Sequence, residues 1–224
     1  VDSSASSGSG SSSSGSSTTD TSNGTVVTSF SELTAAVTKA EKAGGGIVYV
    51  KGSSISCTAQ LALKASNANV SIIGVKNSDG TYPVLDFSAF RSAYIGKATT
   101  DSEVGIRISG SKYTIKNLII QKAPDNGIQI KGSSAGNNTI ENCIVRYNND
   151  AGVQITGGAY SNTMRFVYSY RNCDVYTLGG NADGFAPKLG AGKGNVFYGC
   201  YSWENSDDGW DSYDKDSLTY NLTY

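Results

Sequence analysis

The chain of 224 residues contains no histidine. Within it, that excludes Ser-His-Asp and Cys-His catalysis and every histidine-ligated metal site. It also lacks an excess of either charge, with 18 Lys and Arg against 19 Asp and Glu and a formal charge of −1. No global basic field therefore draws in nucleic acid or an anionic membrane, and any electrostatic function has to be local. No apolar run approaches the ~20 residues that span a bilayer. No secretory leader is visible, which for a processed or partial chain leaves the compartment undecided. The chain begins with Val1 and stops at Tyr224 without a cap or polar tail, and both ends read as cuts in a longer polypeptide. At 38% apolar and 17% charged residues, the composition describes one globular domain.

Residues 1–24 read as a linker. Nineteen of these 24 are Ser, Gly or Thr, with no apolar period to bury and a high entropic cost of ordering. A flexible coil of that kind spans roughly 27 Å on average, enough to tether one module beside another. The folded domain is then 25–224, incomplete at its C-terminus, and is expected to be a monomer.

Ser29-Phe30-Ser31-Glu32 fits a capping box and starts a helix. Leu33, Ala36, Val37 and Ala40 share one face, and Gly44-Gly45-Gly46 supplies the stop. Ile47 to Val50 follows as a strand. Beyond it helical periodicity almost vanishes and a repeat takes over. Units open at Gly105-Ile106, Gly127-Ile128, Gly152-Val153, Gly184-Phe185 and Gly209-Trp210, separated by 22, 25, 32 and 25 residues. Each has a second strand block, aligned as Thr114–Leu118, Thr139–Cys143, Thr163–Val167 and Val196–Cys200. In that register Asn138, Asn162 and Asn195 form one column, and Asn148, Asn172 and Asn205 another. Short strands, corner glycines and stackable asparagines predict an all-β parallel β-helix in which each coil buries its alternate residues on its neighbours. The N-terminal helix is expected to cap the open end of that solenoid and block edge pairing. A leucine-rich repeat has a similar period, but neither its helix nor its Leu-x-x-Leu-x-Leu pattern recurs.

The unit junctions read Asp125-Asn126-Gly127, Asp150-Ala151-Gly152, Ala182-Asp183-Gly184 and Asp207-Asp208-Gly209. Asp183 then lies over Asp208, about 4.8 Å away along the ladder, with Asp207 beside it and Asp211 two residues past the corner. Four carboxylates on one turn repel each other unless a cation neutralises them, and hard oxygen ligands without Cys or His favour Ca²⁺. Asp125 and Asp150, at the earlier junctions, read as ordinary turn residues capping backbone N–H groups. The unit before the cluster carries an extra loop, Cys173 to Gly180, expected to wall a binding groove.

Asn181 to Gly190, Gly194 to Cys200 and Trp203 to Asp211 together resemble the signature of the family-nine polysaccharide lyases, the pectate lyases. The resemblance is specific across 181–211 and extends through the repeats and helix to 25–224. It implies a right-handed β-helix, calcium held by Asp183, Asp207, Asp208 and Asp211, and β-elimination of α-1,4-polygalacturonate, the polymer of pectin. A secreted, extracellular enzyme follows from that polymeric substrate and from the linker. The family's base is a lysine at least one coil downstream of the Asp-Asp-Gly-Trp-Asp segment. It is expected beyond Tyr224, so this fragment is expected to bind Ca²⁺ with little or no lyase activity. Lys188 is the candidate for pairing a substrate carboxylate, with solvated surface lysine as the plainer alternative and Lys193 and Lys215 as weaker candidates.

Two other readings compete. A β-helical glycoside hydrolase also uses clustered aspartates, but the motif of the polygalacturonases includes a histidine that these coils lack. A non-catalytic, calcium-stabilised β-helix binding plant or surface polysaccharide is the second. Cys57, Cys143 and Cys200 read as small core residues, and Cys173 as the exposed thiol. Cys143 and Cys200 share a column but sit two coils apart, too far to bridge. Tyr168, Tyr170 and Tyr201 are expected to pack in the core or in ladders, with an outward position that contacts sugar as the alternative.

Overall fold

The computed structural model describes residues 19–214 and the strand Leu222–Thr223. Residues 1–18 of the expected linker and Lys215 lie outside the described residues. The chain is already docked before Thr25: the Tyr49 hydroxyl donates to Asn23 Oδ1 at 2.8 Å.

The helix runs Phe30–Lys42. Its capping box forms as the sequence predicts, with Glu32 N–H donating to Ser29 Oγ and Ser29 N–H donating to Glu32 Oε2. Leu33, Ala36 and Val37 are buried in one continuous core with Val27, Val48 and Val50 of the first coil. The helix thereby covers the apolar interior at the N-terminal end of the described coils. Gly44, at φ 78°, turns the chain out of it.

Beyond the helix, parallel strands stack into three sheets. One, here the floor sheet, contains Leu61–Leu63, Ile106–Ile108, Ile128–Lys131, Val153–Thr156 and Phe185–Pro187. The back sheet contains the second strand blocks, and Thr114, Thr139, Thr163 and Val196 align in the expected register. A third, the flank sheet, runs through Ser54–Ser56, Val84–Asp86, Ile119–Gln121, Ile144–Arg146, Tyr168–Tyr170 and Tyr201–Trp203. This third strand per coil escapes the sequence reading because one residue makes the corner before it. Asn117, Asn142, Phe166 and Gly199 occupy successive coils at φ 59°, 52°, 51° and 62°. Left-handed backbone is natural for glycine and tolerable for asparagine. A phenylalanine there leaves no sequence signal of a turn.

Both asparagine columns form ladders. Asn138 Nδ2 donates to Asn162 Oδ1 at 2.9 Å and Asn162 Nδ2 to Asn195 Oδ1 at 3.0 Å. Asn148 to Asn172 and Asn172 to Asn205 repeat the contact, both at 2.9 Å. These amides replace the backbone ladder where it breaks at the corners, so the buried polar atoms there stay satisfied. The corner glycines answer to sterics: a Cβ on Gly184 would sit 1.8 Å from Ser202 Oγ.

Cys57 and Cys143 are buried, Cys200 is half-buried, Cys173 is exposed, and all four are free thiols. No helix among the described residues is long and apolar enough to cross a membrane.

Candidate metal centre and groove

Alternation along the floor sheet turns Ile128, Ile130, Val153 and Ile155 inward and Gln129 and Gln154 outward. Gln129 Nε2 donates to Gln154 Oε1, and Arg107 Nη1 donates to Gln129 Oε1. Along the same face run Lys131, Thr156 and Lys188. Asp101, in the long loop after Phe90, pairs with Lys131 at 2.6 Å and Arg107 at 3.1 Å. That loop folds back over the N-terminal part of this row, so the floor's polar groups lie in a groove rather than on an open face.

At the C-terminal end of the floor, Asp183, Asp207 and Asp208 bring carboxylate oxygens within 4.8 Å of one another. Backbone geometry holds them there. Gly184 N–H donates to Asp208 O at 2.9 Å, which puts Asp208 one ladder step from Asp183. Asp208 N–H donates to Asp183 Oδ1 at 3.2 Å, and Asn181 N–H donates to Asp207 Oδ2 at 2.8 Å. Asp183 is fully buried, while Asp207 and Asp208 face solvent. Three convergent carboxylates, one buried and two accessible, fit a hard divalent cation such as Ca²⁺.

Asp211 is placed differently from the other three. Its N–H bonds Phe185 O, which sets its side chain on the outward face over Ala186. There its Oδ2 accepts from Lys188 Nζ at 2.7 Å, and the same ammonium donates to Asp183 Oδ2 at 2.8 Å. Lys188 is thus a buried ammonium, 7% exposed, clamped between two of the four aspartates. It supplies part of the neutralisation that the sequence pattern demanded. Burial pulls its pKa down, but the bonds to Asp183 and Asp211 outweigh this and leave it above its ordinary value. Burial likewise pushes Asp183 up, and Lys188 only partly opposes it.

Asp150 is the residue that sequence reading undervalued. It does cap Ala151 N–H at 2.5 Å, as a turn aspartate should. It also lines a cavity of about 270 Å³ with Gln154, Asn181, Lys188, Leu189 and Tyr213. Burial first, and the Asp125 charge second, push its pKa up to about 7. The available signal was its column, one coil from the cluster. The inserted loop packs beside the site, with Ser206 Oγ donating to Gly179 O at 2.7 Å. Asp174 organises it by accepting from Tyr176 N–H, Thr177 N–H and the Thr177 hydroxyl.

The family model described as Pel9A-like, right handed beta helix region matches residues 14–223. The chain therefore belongs to this right-handed β-helix family of polysaccharide lyase family nine. It is 34% identical over 192 residues to pectate lyase L of Paenibacillus polymyxa (strain SC2), covering 82% of this chain and 40% of that protein. It is 32% identical over 132 residues to pectate lyase L of Dickeya chrysanthemi, covering 59% of this chain and 29% of that protein. The crystal structure of pectate lyase Pel9A superposes with a TM-score of 0.64 at 28% identity, covering 83% of this chain and 44% of that one. The chain thus spans less than half the length of these relatives.

Proposed function

We propose that this chain is the calcium-binding, groove-forming part of a secreted pectate lyase that cleaves α-1,4-polygalacturonate by β-elimination. The observation that carries this reading is the convergence of Asp183, Asp207 and Asp208 at the end of a polar groove, in a chain of this family. Asp183, Asp207, Asp208 and Asp211 are the residues that would hold the metal. Bound Ca²⁺ would act as a Lewis acid on the uronate carboxylate and raise the acidity of the adjacent C5–H.

The residues of the chain then have separable tasks. The buried Asp183 and its ladder neighbour Asp208 keep the carboxylates pre-positioned, so little reorganisation accompanies binding. Lys131, Gln129, Gln154 and Thr156 line the route along which a polyuronate would lie. Lys188 has one edge on the cavity shared with Asp150 and Gln154. Once its acceptors are committed to a cation, it is the nearest ammonium for a substrate carboxylate. In the elimination a base removes the C5 proton, the C5–H electron pair forms the C4=C5 double bond, and O4 leaves with the neighbouring sugar. Lys188 is a poor candidate for that base, because two carboxylates hold its proton in place. The family resemblance implies a lysine base at least one coil downstream of Asp211, beyond Tyr224, and the Ser-rich segment 1–24 is expected to tether the domain to another module.

Absorbance of the 4,5-unsaturated product tests the reading. A longer polypeptide containing these residues should release it from polygalacturonate, lose the activity in EDTA and regain it with Ca²⁺. Asp183→Asn should abolish elimination, and the 224-residue chain alone should show little or none. Saturated products or EDTA-insensitive activity would refute calcium-dependent elimination, and full activity of the 224-residue chain would refute the placement of the base.

A further inference from the structure

The flank sheet carries a second surface that the groove does not use. Its outward positions form two columns. One reads Ser54, Val84, Ile119, Ile144, Tyr168, Tyr201, and the other Ser56, Asp86, Gln121, Arg146, Tyr170, Trp203. In both, the residues of the last two coils switch to aromatic. Tyr168 meets Tyr201 edge to face at 5.6 Å, Tyr170 stacks on Trp203 at 4.2 Å, and Tyr147 joins Tyr170 at 6.1 Å. Around the corner Phe166 and Tyr198 continue the series at 5.4 Å.

These rings are not core. Tyr201 is 64% exposed, Tyr198 59%, and Phe166, Trp203 and Tyr168 about 40% each (41%, 41% and 39%). Packing between coils accounts for their mutual contacts, but burial gains do not account for so many large apolar groups left in water. A contiguous exposed patch of this kind marks a binding surface. Its charge is one-sided. Arg165 lies over the Phe166 and Tyr198 rings, at 5.6 Å and 5.9 Å, and forms no ion pair among the described residues. Among the described residues the Arg146 guanidinium is bonded to neutral groups, Gln121 Oε1 and the Tyr170 hydroxyl. Arg171 pairs with Glu204, and Glu141, the ladder neighbour of Arg165, is already paired with Lys116.

We propose that this face is a second polysaccharide-binding surface, taking an anionic, uronate-rich chain outside the aspartate groove. Pyranose rings have apolar C–H faces that pack on aromatic rings, and guanidinium groups bind carboxylates in bidentate geometry. An aromatic strip edged by arginines offers both to a polyuronate along its length. The choice of polymer rests on the function proposed above; the existence of the surface does not.

Affinity electrophoresis through polygalacturonate in EDTA, which silences the aspartate site, tests it. The protein and its Asp183→Asn variant should be retarded equally. Tyr201→Ala/Trp203→Ala should lose at least tenfold in affinity with its melting temperature held, and Arg165→Ala should lose less. A neutral galactan should retard the protein weakly; equal retardation by it would overturn the anionic assignment. Unchanged retardation of the double variant overturns the proposal. So does a double variant that melts several degrees lower and is retarded normally, since the rings would then be covered by another part of the polypeptide. Failure of calcium-dependent elimination with this retardation intact would sink only the proposed lyase function.

Discussion

The last two described coils present two opposite solutions to placing functional groups on a β-helix. On the floor side, Asp183 and Lys188 are ionisable groups withdrawn from water and held by each other. On the flank side, Tyr201 and Trp203 are apolar rings left largely in water and packed on Tyr168 and Tyr170 of the preceding coil. Burying a charge is costly unless it is paired, so the floor corner is electrostatically tense and its members depend on one another. Exposing an aromatic ring costs little folding energy, so the flank face can change without disturbing the coil. A pre-organised ion site benefits from the first arrangement, and a surface that grips a long polymer weakly at many points benefits from the second.

That contrast can be broken by mutation. Lys188→Met should have the largest effect, because it strands Asp183 and Asp211 without their cation. Removing one partner from a buried pair costs about 3 kcal/mol, read as a lower melting temperature in EDTA at pH 7, and Ca²⁺ should restore much of the loss. Equal destabilisation with and without Ca²⁺ would mean that Lys188 is a packing residue and not a counter-charge.

Asp150→Asn should show a smaller, pH-dependent effect. The folded-state pKa of Asp150 lies above its ordinary value, at about 7. The folded state thus binds the proton more tightly than the unfolded state, and stability falls as pH rises from about 4 through 7. For a half-buried group this amounts to about 1–2 kcal/mol. In EDTA the Asn variant should melt above the parent at pH 8 and with it at pH 4. The same difference at both pH values would remove the charge argument. The smallest effect is expected on the flank, where Tyr201→Ala should shift stability by about 0.5 kcal/mol or less in urea unfolding. A loss like that of Lys188→Met would show the rings to be structural and erase the contrast.

Much of this organisation is legible in the sequence. The asparagines of both columns, the threonine-led strand register and the Ser29 to Glu32 cap depend on local chemistry or on exact repetition, and both survive in a linear string. The three aspartates Asp183, Asp207 and Asp208 were legible for the same reason, since stacking one repeat on the next brings the corners together automatically. The third strand was not, because a Phe166 corner has no turn residue to betray it. Nor was the choice between core and outward placement for Tyr168 and Tyr201, which form a ladder and yet stay exposed. Alternation says which residues leave the core, whereas exposure depends on whether a loop from another coil covers them.

What the sequence alone determined was therefore the coil: its period, its capped end, its amide ladders and the column in which the acids meet. Tertiary structure alone decided the partners across and around the coils. It set Lys188 between Asp183 and Asp211, folded the Asp101 loop over Arg107 and Lys131, and left the flank rings bare. The physical reason is range. Repeat stacking is a nearest-neighbour rule encoded in every unit, while the pairing of a charge and the covering of a face are settled by segments that follow no repeat.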